Sequence, residues 1–187
     1  MKIIFLDVDG VLNGYNFWNQ LGWRLVCMIN NEKLKQWYRD VSEPFGIHIP
    51  KFKRLVKIVR KTGAKIVVSS SWRFTLFSDG IAKGIRDDDL KFWYLVKKYN
   101  LEIIDRTPCS NDGRRDKEIL MWLSKHKDKV DNFVILDDER YDLECFADKE
   151  LVQTSSVKKG QMIKGHWQET TGLRNKHVRK AIKILND

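Results

Sequence analysis

The chain has 187 residues, of which 35 are Lys or Arg and 25 are Asp or Glu, so its formal charge is +10. Its length suits a single domain, residues 1–187, with its own core, and no apolar run reaches the roughly 18 residues of a membrane span. The four apolar residues between Lys2 and Asp7 are too few for a signal peptide, and three widely spaced cysteines do not make a disulfide scaffold. We therefore expect a cytoplasmic protein with buried cysteines, whose charge suits a nucleic acid, another anionic substrate or a solvated surface.

Short apolar runs alternate with amphipathic stretches along the chain, which is typical of an α/β domain with a mostly parallel sheet. The predicted strands, in chain order, are Lys2–Leu6, Lys65–Val68, Glu102–Ile104, Phe133–Leu136 and Leu151–Gln153. Apolar residues at helical spacing predict helices over Lys51–Lys61, Asp88–Tyr99, Lys117–His126 and Asn175–Leu185. Gly63 is the predicted stop of the first helix.

An aromatic and basic stretch, Gly14–Pro50, separates the first strand from the first helix. Ligand crevices in such sheets lie at the carboxyl ends of the strands, so we expect this insertion to overhang the site. Its rings, Trp18 and Trp23 among them, either stack the bases of a single strand or pack a small cap against the core. Residues 149–187 hold nine Lys or Arg and three Asp or Glu, a net of +6 that serves polyanion binding or a solvated helix face.

Two acidic pairs follow predicted strands directly. Asp7 and Asp9 come after the first strand, with Gly10 behind them, and Asp137 and Asp138 come after the fourth. Buried carboxylates are costly unless they bind a cation or share a proton. Gly10 lets the backbone turn sharply and approach a ligand closely. The two pairs therefore predict a site of oxygen ligands that suits Mg²⁺, a hard cation.

The second strand ends in Ser69-Ser70-Ser71-Trp72-Arg73. Hydroxyls and backbone N–H groups at a strand end, followed by the start of a helix, suit a phosphate. Arg73 either reaches the substrate from this loop or pairs with an acidic neighbour.

Taken in order, these motifs resemble the haloacid dehalogenase (HAD) superfamily. The resemblance is narrower in three sequences, Ile66-Val67-Val68-Ser69-Ser70-Ser71-Trp72-Arg73, Ile135-Leu136-Asp137-Asp138 and Thr171-Gly172-Leu173. They are similar to a branch with the phosphatase-like domains of RNA-repair proteins, related to the phosphatase half of polynucleotide kinase-phosphatases. The resemblance implies a three-layer Rossmann-like HAD fold, with residues 14–50 as a small aromatic-rich cap. That stretch and the basic segment Lys158–Gln168 lie outside the resemblance.

The resemblance also implies roles for the residues. Asp7 would attack phosphorus to form an aspartyl-phosphate, and Asp9 would protonate the leaving oxygen and then deprotonate water. Mg²⁺ would be held by Asp7, the backbone carbonyl of Asp9 and Asp137, with Asp138 as a ligand or a support behind the ligands. Ser69 is our choice for the hydroxyl that binds the phosphoryl group, because it directly follows the apolar run, and Ser70 is its competitor.

A basic residue that stabilises the phosphoryl group is also expected in this family. Members of the branch show it three residues before a Glu-Ile pair, and that spacing selects Arg115 ahead of Glu118-Ile119. The superfamily more often uses Lys, which favours Lys117. Either residue would clamp a phosphate.

These features together predict a Mg²⁺-dependent phosphomonoesterase. The basic charge and the aromatic insertion, together with the narrower resemblance, favour a 3′-phosphate end of RNA or DNA as its substrate. The alternative enzyme is a phosphatase for nucleotides or other small phosphate esters. The alternative of another class is a nucleic-acid-binding protein with a vestigial site. Asp9 argues against that, because a degenerating site would lose its acid/base first. A kinase half is not expected, since the Gly-x-x-x-x-Gly-Lys motif is absent.

Overall fold

The computed structural model describes residues 1–13, 25–29, 31–35, 46–77, 87–147, 149–154 and 172–187. Its strands are β1 (Lys2–Leu6), β2 (Lys65–Val68), β3 (Ile103–Arg106), β4 (Asn132–Asp137) and β5 (Leu151–Gln153). Its helices are α1 (Ile49–Thr62), α2 (Arg73–Leu76), α3 (Asp87–Tyr99), α4 (Arg115–Lys125) and α5 (Asn175–Asn186). Two 3₁₀ helices, Lys127–Lys129 and Tyr141–Phe146, and short helical turns at 25–28 and 32–35 complete the described structure.

The five strands form one parallel sheet in the order β3-β2-β1-β4-β5. In the central strand, Leu6 lies opposite Val68 of β2 and Leu136 of β4. Strands buried on both faces need apolar side chains in both directions, and residues 3–6 are fully buried. The α/β class and the Rossmann-like sheet are thereby confirmed. From β1 the chain builds β2 and β3 on one side, and then crosses over to build β4 and β5 on the other side of β1. The strand order thus reverses between β1 and β4, and a crevice is expected at the carboxyl ends of these two strands.

Helices cover both faces of the sheet, which gives the three layers. On one face α1, α3 and α5 pack against a core that includes Ile4, Leu6, Ile66, Val68, Val134 and Leu136. On the other face α4 and the 3₁₀ helix Tyr141–Phe146 pack against a smaller core of Ile3, Phe5, Val67 and Ile135. Because side chains alternate along a strand, the even-numbered residues of β1, β2 and β4 face the larger core and the odd-numbered ones face the smaller core.

The predicted helices differ from the observed ones mainly at their ends. Helix α1 begins at Ile49 rather than Lys51, because Pro50 fits the first turn of a helix, where no N–H partner is needed. It ends as predicted at Gly63, whose φ of 69° lets its N–H bond the carbonyl of Val59 at 2.8 Å.

Two other predictions need correction. Strand β3 spans Ile103–Arg106 instead of Glu102–Ile104, because an edge strand pairs through its backbone and tolerates the polar Asp105 and Arg106. The prediction that the cysteines are buried is wrong, since all three are exposed and free. Among the described helices, none has both the length and the apolar character needed to cross a bilayer.

Most of the predicted cap falls outside the described residues, at 14–24, 30 and 36–45, and Trp18 and Trp23 lie there. The basic segment Lys158–Gln168 also lies outside them. The cap remains a prediction.

Candidate active site

Three strand ends bring the predicted site residues together at the carboxyl edge of the sheet. The N–H of Asp7 donates to the carbonyl of Leu136 at 2.9 Å, so the pairing of β1 with β4 continues one residue beyond β1. Ser69 similarly donates its N–H to the carbonyl of Leu6 at 2.9 Å. Asp137 is the last residue of β4. Parallel pairing therefore places both acidic pairs and the serines around one crevice.

Asp7, Asp137 and Asp138 form a cluster in which one carboxylate oxygen of each lies within 4.8 Å of the others. Asp7 and Asp137 are buried and Asp138 is half-buried. Burial, together with the charge of Asp137, raises the pKa of Asp7 to about 8. Burial and the charges of Asp137 and Glu139 raise the pKa of Asp138 to about 7. The cluster thus concentrates more negative charge than its surroundings neutralise, and its oxygen donors fit a hard divalent cation such as Mg²⁺.

Arg115 is the cation that the structure brings to this cluster. It is the first residue of α4, its Nη1 donates to Asp137 Oδ2, and the same nitrogen lies 3.5 Å from Asp7 Oδ1. Lys117 instead pairs with Asp112, and its side chain is 55% exposed. Of the two candidates, Arg115 therefore contacts the carboxylates.

Gly10 allows Asp138 to reach the cluster. Its φ is +68°, and a Cβ built there would overlap the Asp138 carboxylate. The close approach expected at Gly10 is therefore an approach to a neighbouring side chain. The Thr154 hydroxyl donates to the Gly10 carbonyl at 2.7 Å and fixes the loop from β5. No sequence motif pointed to Thr154.

Asp9 lies beside the cluster with an exposed carboxylate, and both of its oxygens accept a hydrogen bond. Asn13 Nδ2 donates to Oδ1 at 2.7 Å, and Trp72 Nε1 donates to Oδ2 at 3.0 Å. Sequence reasoning missed both donors. The position of Trp72, directly after the serines, is the signal that could have found it.

The serines Ser69 and Ser70 are both fully buried. A hydrogen bond from the Ser70 hydroxyl opposes the rise in the Asp7 pKa, so Ser70 contacts the carboxylate. Ser70 Oγ also accepts from the Trp72 N–H at 3.3 Å. The Ser69 hydroxyl has no hydrogen-bond partner among the described residues. An unpartnered buried hydroxyl is costly, so a ligand oxygen would be favoured there.

Arg73 is buried and pairs with the buried Glu118 at 2.8 Å. Its Nη1 donates to the Ser69 carbonyl at 3.0 Å. Of the two interpretations of Arg73, the pairing with an acidic neighbour is the one that the structure shows. Arg73 thus holds the serine loop against α4.

Comparison with known proteins gives one match. A family model described as the HAD domain in Swiss Army Knife RNA repair proteins matches residues 3–160. No curated protein and no solved structure matches the chain. The matched span includes both acidic pairs, the serines and Arg115.

Proposed function

Because the chain belongs to the family of HAD domains in Swiss Army Knife RNA repair proteins, as its motifs predicted, we propose that it is a Mg²⁺-dependent phosphomonoesterase that removes 3′-phosphates from nucleic-acid ends. One observation carries the proposal. The cluster of the buried Asp7 and Asp137 with the half-buried Asp138 lies beside an exposed Asp9 carboxylate, and Asn13 and Trp72 each donate a hydrogen bond to that carboxylate.

Asp7 is the proposed nucleophile. A carboxylate oxygen of Asp7 forms a bond to phosphorus while the bond from phosphorus to the sugar oxygen breaks, which leaves an aspartyl-phosphate. Asp9 gives its proton to the departing sugar oxygen. In the second step Asp9 takes a proton from water, whose oxygen bonds phosphorus as the bond to Asp7 breaks. Inorganic phosphate leaves, and both carboxylates return to their starting forms.

The proposed ligands of the ion are Asp7, the backbone carbonyl of Asp9, Asp137 and Asp138. Mg²⁺ would supply positive charge between the anionic nucleophile and the anionic phosphoryl group, which otherwise repel each other. Arg115 adds a fixed guanidinium at the same place.

Hydroxyls and cations are the proposed contacts of the phosphoryl oxygens. Ser69 offers a buried hydroxyl without a protein partner among the described residues, and Ser70 offers one beside Asp7. Arg115 is the proposed clamp, and Lys117, which Asp112 holds, is the less favoured candidate.

The RNA-repair family and the +10 charge support a nucleic-acid substrate. We further propose that residues 14–50 form a cap over the crevice within a single domain, with Trp18 and Trp23 as base-stacking candidates. The buried Arg73 supports the serine loop in this scheme rather than touching substrate.

The test is phosphate release with Mg²⁺ from matched oligonucleotides ending in a 3′-phosphate or a 5′-phosphate, and from mononucleotides. We expect the 3′-phosphate oligonucleotide to be hydrolysed best. Asp7→Asn and Asp9→Asn should each lower kcat by about 10²-fold to 10⁴-fold, whereas Asp131→Asn, at the amino end of β4, should change nothing.

Other outcomes separate the alternatives. If mononucleotides are hydrolysed best, the protein is a phosphatase for small phosphate esters. No hydrolysis of any phosphate ester, with oligonucleotide binding unchanged in Asp7→Asn, would leave a nucleic-acid-binding protein with a vestigial site.

A further inference from the structure

Three cations, Lys51, Arg54 and Arg174, form a basic strip beside the Asp9 loop. We propose that this strip binds the sugar–phosphate backbone of the strand whose terminal phosphate enters the site. The inference rests on the proposed function and adds the surface that would distinguish a polynucleotide from a small phosphate ester.

The strip begins next to the proposed general acid. Lys51 Nζ donates to the backbone carbonyl of Asn13 at 3.2 Å, and the side chain of the same Asn13 donates to Asp9 at 2.7 Å. Asn13 therefore connects the first cation of the strip to the Asp9 carboxylate through two hydrogen bonds. A strand whose end is held at Asp9 would pass this cation first.

The strip continues across the contact between α1 and the segment before α5. Arg54 lies on the same face of α1 as Lys51, three residues further on. Its Nη1 donates to the Leu173 carbonyl at 3.2 Å, and its Nε donates to Asn175 Oδ1 at 3.4 Å. Arg174, between these two acceptors, is exposed. The two arginines are thereby set on adjoining elements.

The Lys51 side chain packs closely against the protein backbone at Gly172. A Cβ built at Gly172 would lie 2.7 Å from the Lys51 side chain, so the stem of Lys51 runs directly over this glycine. The ammonium group is thus placed by the packing of its own stem.

No carboxylate of the described residues neutralises the charges of the strip. Among the described residues, none of the three cations forms a salt bridge with a carboxylate, whereas Lys65, Arg114 and Lys117 each do. The acceptors of Lys51 and Arg54 are neutral carbonyl and amide oxygens. Burial, and then the charges of Arg54 and Arg174, lower the pKa of Lys51 to about 8. A ligand that brings negative charge would offset this repulsion.

A polynucleotide strand is the ligand that fits this arrangement. Its terminal phosphate is the group that the site would hydrolyse, and every further nucleotide adds one backbone phosphate for the strip. A mononucleotide has only the phosphate that the crevice itself holds, so it leaves the strip empty. Because backbone contacts carry no sequence information, the strip would bind strands of any sequence.

The experiment compares Arg54→Gln, Arg174→Gln and the double variant with wild type, on a 3′-phosphate oligonucleotide and on a 3′-mononucleotide. Lys65→Gln is the control, because Lys65 is a partly exposed lysine at the amino end of β2, away from the carboxyl ends that form the crevice. We expect KM for the oligonucleotide to rise on the order of fivefold per removed cation, and the dependence of log(kcat/KM) on log[salt] to become shallower by about 0.7 for each. The kinetics of the mononucleotide should stay unchanged.

Two results would overturn the inference. In the first, the strip variants match Lys65→Gln on the oligonucleotide in both KM and salt dependence. In the second, they lose activity equally on both substrates, because the strip would then act on the crevice rather than on the strand.

A binding measurement keeps this inference separate from the proposed function. Fluorescence anisotropy with a labelled oligonucleotide ending in a 3′-hydroxyl measures how tightly the strand binds when no hydrolysis can occur. Weaker binding of the double variant supports the strip even where wild type releases no phosphate, and equal binding of wild type and the double variant overturns it. Melting temperatures within about 2 °C of wild type would show that the variants are folded.

Discussion

At the scale of single residues, Asp9 is an exposed carboxylate that does not move freely. Trp72 and Asn13 each donate to one of its oxygens. An acid/base that serves two successive proton transfers gains from a fixed position, because misplacement of the reacting atoms is costly in rate. Trp72 is therefore a positioning residue for the proposed reaction.

Trp72→Phe removes the indole N–H and keeps most of the buried ring. We expect kcat to fall about fivefold, since one hydrogen bond contributes about 1 kcal/mol, while KM stays unchanged because the phosphate contacts remain. Steady-state kinetics on a 3′-phosphate oligonucleotide measure kcat and KM separately. Trp122→Phe is the matched control, because it also removes an indole N–H from a carboxylate, that of Asp105 at 2.7 Å. Equal kcat values for the two variants would refute a positioning role.

Gly10→Ala should disrupt the carboxylate cluster of Asp7, Asp137 and Asp138, because the new methyl group would overlap Asp138. Gly113→Ala is the control, since Gly113 has the same φ of +68° and open space around it. Both variants carry the left-handed strain of about 1 kcal/mol, so any difference between them reports the overlap. We expect the Mg²⁺ concentration that gives half-maximal activity to rise more than tenfold in Gly10→Ala alone, as measured by metal titration. Similar titrations for both would show that strain, not contact with Asp138, matters.

At the scale of elements, the buried pair of Arg73 and Glu118 joins the serine loop to α4. Both side chains are less than a tenth exposed, at 8% and 4%. Glu118→Gln leaves a buried guanidinium without its countercharge, which should lower the free energy of unfolding by about 3 kcal/mol. Urea denaturation measures this. Glu102→Gln breaks the exposed pair with Lys65 and should cost less than about 1 kcal/mol. Comparable losses would contradict a structural role for the buried pair.

The sequence predicted much of the fold but could not assign the cation of the site. Strands β1, β2 and β5 have their predicted bounds, because continuous apolar runs need burial on both faces. The choice between Arg115 and Lys117 depended on which side of α4 faces the carboxylates, and the sequence does not show this. Residues two apart on a helix point about 200° apart, so only one could face the carboxylates. Ser69 and Ser70 posed the same problem at the end of β2.

At the scale of the whole molecule, the carboxylate cluster makes metal-free stability depend on pH. The pKa values of Asp138 and Asp7, about 7 and about 8, exceed the ordinary value of 3.8. The folded metal-free protein therefore binds more protons than the unfolded chain near neutral pH, and its stability falls as pH rises. His177, whose burial lowers its pKa to about 4, contributes a slope of the opposite sign that lies mainly between pH 4 and pH 6.5 and fades above about pH 7.5.

We expect the metal-free free energy of unfolding to fall by about 2 kcal/mol between pH 6.5 and pH 8. Saturating Mg²⁺ should abolish this fall, because the ligands bind the ion deprotonated. Urea denaturation with EDTA or with Mg²⁺ measures the two slopes, and Asp138→Asn should flatten the metal-free one. Identical slopes with and without Mg²⁺ would mean that the cluster does not bind the ion.

The position of α5 bears on how the protein is made. Leu173, Ala181 and Leu185 are fully buried, and the Leu173 N–H donates to the carbonyl of Val11, two residues after Asp9. β1 is synthesised early, yet its partner β4 is paired at Lys2 with Asn132, and α5 comes later still. Such long-range contacts slow folding. A nascent chain on the ribosome therefore holds Asp7, Asp9, Asp137 and Asp138 in an unfinished core until α5 has emerged.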